Sequence, residues 1–241
     1  MARTLADAKT KVRNKIKDLA TTAEVTDTEL DHHLGSAVER YSKDRPRQVP
    51  HEFAGDGASY DFALPNDWED DFSRLLGGLN SKVEYPASER VPLFIEDADW
   101  TIYDLVVPKK LRLLAHTPGA TEKVRYLYSK RHVLDAQEVN TTIPSVDFDA
   151  LCDLTAGFSL DALAAKYARS TDPTIGADTV NYRDGQLKCK QQAEIFKKRY
   201  FLHVGVKEDG VAAASADADF DSSPGWAASY GGYLTHSHRR R

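Results

Sequence analysis

The sequence predicts an α+β protein, a helical core interrupted by a β-rich insertion and followed by an extended C-terminal tail. Three observations carry that expectation. Apolar residues recur every three or four positions at both ends of the globular region, which is the spacing of one helix face. Six of the ten prolines fall between residues 47 and 143, among short aromatic and β-branched runs that read as strands. Beyond about residue 204 the chain turns to Ala, Asp, Gly and Ser without apolar periodicity. The boundaries follow: a helical pair over 1–46, the insertion over 47–144, a second helical pair over 145–203 and an arm over 204–241.

In the first pair, Leu5, Ala8, Val12, Ile16 and Leu19 line one side of a helix. Arg3, Lys11, Arg13, Lys15 and Lys17 line the other. Thr26 with Glu29 three residues on forms a capping box, so a second helix starts there and Pro46 ends it. Its apolar line is Leu30, Leu34, Ala37, Val38 and Tyr41. The insertion supplies the strand candidates SYDFAL, SKVEY, PLFIE, WTIYDLVV, KLRLLA and KVRYLY. Within it, Asn66 with Glu69 predicts a short capped helix through DWEDDFSRLL. The third helix places Leu151, Leu154, Phe158, Leu163 and Tyr167 along one side, and Asp178 caps a fourth that runs to about Leu202.

Chemistry is sparse. A net charge of −5 argues against a general nucleic-acid binder. No apolar run reaches the roughly 18 residues of a membrane span, so no membrane partner is expected. The charged start lacks the apolar stretch of a signal peptide, which predicts synthesis and assembly in a cytoplasm. Two cysteines, Cys152 and Cys189, are too few for a disulfide framework or a Cys-rich zinc site, and both read as buried apolar residues. The carboxylates Asp67, Glu69, Asp70 and Asp71 fit the positive end of a helix better than a cation loop. His32 and His33 are adjacent and diverge on a helix, while His236 and His238 sit in a basic terminus. No nucleophile elbow, Walker loop, dinucleotide turn or zincin helix is present. The reading is therefore of a protein with no catalytic residues, cofactor or metal. Two rivals stay open: a hydrolytic enzyme, and a carbohydrate- or host-binding module built on Trp68, Trp100, Tyr103 and Tyr126.

The order of features resembles the head-to-tail adaptor proteins of tailed bacteriophages, also called connector, head completion or neck proteins. ELDHHLGSAVERYSKDRPRQV is similar to that family's opening helix and its approach to the first strand. VEYP, PLFIEDADWTIYD and LRLL resemble its insertion, and LAAKYARSTDP with the helix ending at Tyr200 its closing helical pair. The likeness spans about residues 24–203 and rests on order and hydrophobic pattern. It implies a virion protein that forms a ring, twelvefold in that family, between the portal protein and the tail or nozzle proteins, around passing double-stranded DNA. It also implies a C-terminal arm that grips the portal or a neighbouring subunit, with Phe220, Trp226, Tyr230, Tyr233, Arg239, Arg240 and Arg241 as its contacts. Lys109, Lys110 and Arg112, in a turn region between prolines, are the candidates for the DNA channel.

Overall fold

The computed structural model describes residues 3–18, 23–76, 83–87, 93–169 and 182–206. Its first helix, α1 (Leu5–Ile16), starts at a capping box that the sequence reading did not single out: Thr4 Oγ accepts from the Asp7 N–H, and Asp7 accepts from the Thr4 N–H. It ends at Lys17, which takes the left-handed conformation. The expected box at Thr26 and Glu29 opens α2 (Asp27–Asp44). The last two helices are α3 (Phe148–Arg169) and α4 (Tyr182–Val204). Leu19 and Asp178 lie outside the described residues.

The α3 helix is not amphipathic as expected. Phe148, Ala150, Leu151, Cys152, Leu154, Ala156, Leu160 and Leu163 are all buried, because α1, α2 and α4 pack around different sides of it. The hydroxyls of Thr155 and Ser159 fit inside such a helix by donating to the carbonyls four residues back. Gly157 lets α4 come close: a Cβ there would lie 2.9 Å from Lys197 Cγ and 3.2 Å from the Ala193 carbonyl. The basic side of α1 is not a solvated face. Lys15 Nζ lies 2.6 Å from Asp153 of α3, Lys9 2.7 Å from Asp31, and Arg13 2.7 Å from Asp27 of α2.

Between the helical pairs the described residues form seven strands: β1 (Arg47–Ala54), β2 (Asp61–Ala63), β3 (Leu75–Leu76), β4 (Val83–Glu84), β5 (Trp100–Tyr103), β6 (Lys110–Leu113) and β7 (Lys123–Lys130). They make two antiparallel sheets. In one, β7 is central, paired along its length with β1 from Arg47↔Lys130 to Ala54↔Lys123, and on its other edge with β3 and then β4. In the other the order is β2-β6-β5. Alternation on β7 buries Val124, Tyr126 and Tyr128, and alternation on β6 buries Leu111 and Leu113. Phe53 of the first sheet meets Phe62 of the second with ring centroids 4.6 Å apart, so the sheets share one core. Pro50 sits in β1, where it needs no donor toward a second neighbour because among the described residues β1 pairs with β7 alone.

The short helix expected through DWEDDFSRLL does not form. Consecutive turns replace it, with Trp68 N–H donating to the Pro65 carbonyl and Phe72 N–H to that of Glu69. Leu75 and Leu76 then join β7 as β3. The cause is the distant strand. Tyr128 donates to Asp67 at 2.6 Å, Lys130 reaches the same carboxylate at 2.7 Å, and Arg131 reaches Asp71 at 2.7 Å and Glu69 at 3.0 Å. Those pairings hold Asp67 against the end of β7 and gather Glu69 and Asp71 on Arg131, and the segment stays in turns.

Candidate functional site

Where the bundle meets the sandwich lies a buried polar junction. The Asp147 side chain, 3% exposed, sits one residue before α3 and meets three side chains from α2, its C-cap and α4. Tyr41 Oη of α2 donates at 2.6 Å, Arg45 Nη1 at 3.1 Å, and His203 Nε2 of α4 lies at 2.8 Å. Burial alone would raise the pKa of this carboxyl. The contacts from Tyr41, His203 and Arg45 outweigh that and hold it below the ordinary aspartate range. Arg45 also donates to the Val204 carbonyl at the end of α4. Beside it, His132 follows β7 closely and is buried, which lowers its pKa. Its Nε2 lies 3.0 Å from the Arg45 carbonyl, and its Nδ1 lies 3.1 Å from the Thr142 carbonyl and 3.2 Å from the Thr142 hydroxyl, the donor of each pair being set by the tautomer. The His132 N–H donates to Ser42 Oγ of α2. These links brace the sandwich on the helices. Sequence spacing gave no sign of the junction, because its members lie about a hundred residues apart.

The channel candidates share one hairpin but differ in their surroundings. Arg112 forks onto Asp61 at 2.6 and 2.8 Å, and its guanidinium lies 3.7 Å from the Tyr103 ring centroid, with Tyr60 on another side. The Asp61 hydrogen bond raises its pKa further, so it stays charged but committed within the sheet. Lys109 Nζ lies 3.4 Å from Asp70. Lys110 is half-buried opposite Ala63 and Tyr103. Next to them the β5–β6 tip exposes Leu105 (80%) and Val107 (97%), a feature read from sequence as mere strand continuation.

The aromatic residues considered for a sugar platform are used in packing. Trp68 and Trp100 pack against the sandwich core, Tyr126 is buried, and Tyr103 stacks on Arg112. The acidic cluster distributes its carboxylates over Lys109, Lys130 and Arg131, and among the described residues no group of three or more His, Cys, Asp or Glu side chains converges. His33 Nδ1 meets Ser159 Oγ at 3.0 Å, while His32 is exposed. Cys152 is buried, which pushes its thiol up to about 12, and Cys189 is half-buried. Among the described residues no helix is long and apolar enough to cross a membrane. The arm contacts Phe220, Trp226, Tyr230, Tyr233, Arg239, Arg240 and Arg241, with His236 and His238, lie outside the described residues.

No protein-family model matches the chain, and no curated protein matches it. Among solved structures it is similar to a chain from "Virion of native gene transfer agent (GTA) particle", at 11% identity and a TM-score of 0.26, covering 74% of this chain and 88% of that one. An overlap that low carries no argument about the role of this chain.

Proposed function

We propose that this protein is a structural subunit of a phage-type virion, a head-to-tail adaptor that assembles into a ring of about twelve copies between portal and tail. The resemblance of the sequence supplies the twelvefold expectation. The observation that carries the reading is where the chain spends its polar and apolar groups. Its ionisable side chains form internal pairs that brace a β-sandwich against a helical bundle, centred on Asp147. Large apolar side chains meanwhile stand exposed on separate surfaces: Leu105 and Val107 on the sandwich, Leu187 and Leu202 on α4. A braced body with apolar patches on different sides suits a subunit held between neighbours better than one that turns over a substrate.

In this reading the protein is not an enzyme, resides in the virion neck and assembles in the host cytoplasm. The arm beyond residue 208 grips the portal or an adjacent subunit through its spaced aromatic residues. DNA passes through the ring with weak, sequence-independent contacts, to which Lys110 and Lys109 contribute more than the committed Arg112. The test is native mass spectrometry and negative-stain microscopy of the full chain, alone and with portal rings. A closed ring on the portal is expected, and deletion of residues 209–241 should abolish it while leaving a folded monomer. A chain that stays monomeric beside the portal would refute the proposal.

A further inference from the structure

The sandwich is joined to the helices by two chain crossings, residues 45–46 on the way out and residues 131–132 on the way back. His132 stands at the second crossing and ties it to the first. Its N–H donates to Ser42 Oγ of α2 at 2.9 Å, and its Nε2 lies 3.0 Å from the carbonyl of Arg45 in the outward crossing. On the other side of the ring, Nδ1 faces Thr142, with the carbonyl at 3.1 Å and the hydroxyl at 3.2 Å. Thr142 is itself pinned across the base of the 133–141 excursion. Its N–H donates to the Val133 carbonyl at 3.0 Å, and its Oγ1 accepts from the Val133 N–H at 2.8 Å. His132 is 8% exposed, and its ring centroid lies 4.9 Å from that of Tyr41.

These partners serve two protonation states unequally. A neutral ring carries one hydrogen and one lone pair. Among the described residues, the Thr142 hydroxyl is the one ring contact that can give a hydrogen to that lone pair. An added proton puts a hydrogen on both nitrogens. Each then has a carbonyl to donate to, but the Thr142 hydroxyl loses its acceptor and a full charge is enclosed in the seam. The charged groups around the ring are divided. Arg47 of β1 opposes a positive ring, while Asp147, ahead of α3, favours it. Asp147 is already shared among Tyr41, Arg45 and His203, and the adjoining Lys130 and Arg131 direct their charges to Asp67, Glu69 and Asp71. Burial has the largest effect, and the net result is a pKa below the ordinary histidine value.

We propose that His132 is a proton-sensitive latch between the sandwich and the helical body, closed when the ring is neutral and loosened when it is protonated. In the loosened state the ring reaches water and releases the Arg45 carbonyl and Thr142, while the contacts of Asp147 keep the sandwich attached. The folded-state pKa lies below the unfolded value of 6.5, so the latch is fully closed above 6.5. As the pH falls from there to the folded pKa, the closing equilibrium declines by up to about tenfold per pH unit. The latch belongs to a single chain and does not rest on the ring reading.

The test follows the full chain by NMR between pH 7.5 and pH 5. Ring resonances report the titration of His132, and amide hydrogen exchange, corrected for its intrinsic pH dependence, reports opening. His132 should titrate below 6.5, and its amide should open up to about tenfold more often per pH unit below that value, while the Tyr126 amide in the middle of β7 keeps its protection. His33 and His51 are also lowered by burial, so His132→Gln, which cannot titrate, is the control: its seam should open independently of pH. Arg47→Gln, at an exposed position, should raise the His132 titration midpoint and shrink the acid loosening, because the folded and unfolded values then lie closer together. A His132 that titrates at 6.5 or above, or an amide whose opening does not change with pH, overturns the latch. So does an acid response that persists in His132→Gln, or one that Tyr126 shares equally, which marks global unfolding.

Discussion

Replacing Asp147 with asparagine tests whether the polar junction holds the bundle and the sandwich together. The substitution keeps the shape and removes the charge from a side chain that is 3% exposed. The Tyr41 hydroxyl then loses a charged acceptor, a bond worth about 1.5–3 kcal/mol. Arg45 and His203, whose side chains are 45% and 42% exposed, contribute at the low end because water replaces part of what they lose. The sum is about 3 kcal/mol, which for a chain of this size lowers Tm by about 6–12 °C. Urea titration at neutral pH should measure it, and a Tyr41→Phe double-mutant cycle should return a coupling of about 1–2 kcal/mol. Acid supplies a second readout. The folded-state pKa of Asp147 lies below its unfolded value of 3.8, so its contribution is complete above that value and disappears as the pH falls through the folded one. The gap between parent and variant should therefore narrow below about pH 4. A loss under about 1 kcal/mol, or a gap unchanged between pH 7 and pH 3, would refute the reasoning.

Two glycines should respond in opposite directions. A Cβ on Gly55 would lie 1.9 Å from the Pro118 carbonyl oxygen, so Gly55→Ala should destabilise by about 3 kcal/mol or more in urea. Gly35→Ala should stabilise the chain by about 0.5–1 kcal/mol, because the added Cβ would meet nothing within 4 Å. Burial raises both thiols, Cys152 to about 12, so an aromatic disulfide reagent at pH 8 should reach the half-buried Cys189 first. Cys152 should react at the rate of unfolding, and equal fast rates for both would contradict the packing of α3.

Local signals proved legible and distant ones did not. The box at Thr26 and Glu29 placed α2 within a residue, because a cap is written in four consecutive positions. Alternation picked out β6 and β7, because each has one face in the sandwich core. The residues around Asp67 read as helix because their spacing does resemble a capped first turn. Their partners on and after β7 are about sixty residues away, and those pairings decide the conformation. The α3 helix was assigned one apolar side because small residues such as Ala150, Ala156 and Gly157 carry little hydrophobic signal, yet they are what allow helices to close around it. The exposed apolar residues of α4 were visible in principle, since Leu187, Ile195 and Leu202 stand at helical intervals. The sequence reading of that helix stops at its cap and its end near Leu202 and assigns it no face.

The pairing of β1 with β7 has a consequence for how such a chain can change over generations. Everything from residue 47 to residue 130 leaves the helical body and returns to it at the same place, with Arg47 directly opposite Lys130. Partner residues on antiparallel strands have Cα atoms about 5 Å apart, a gap that a two-residue turn spans. A relative could therefore lengthen the sandwich, exchange it for another module or lose it altogether while the helices stayed in register. Grafting a foreign hairpin-anchored module between those two positions would repeat the exchange at the bench.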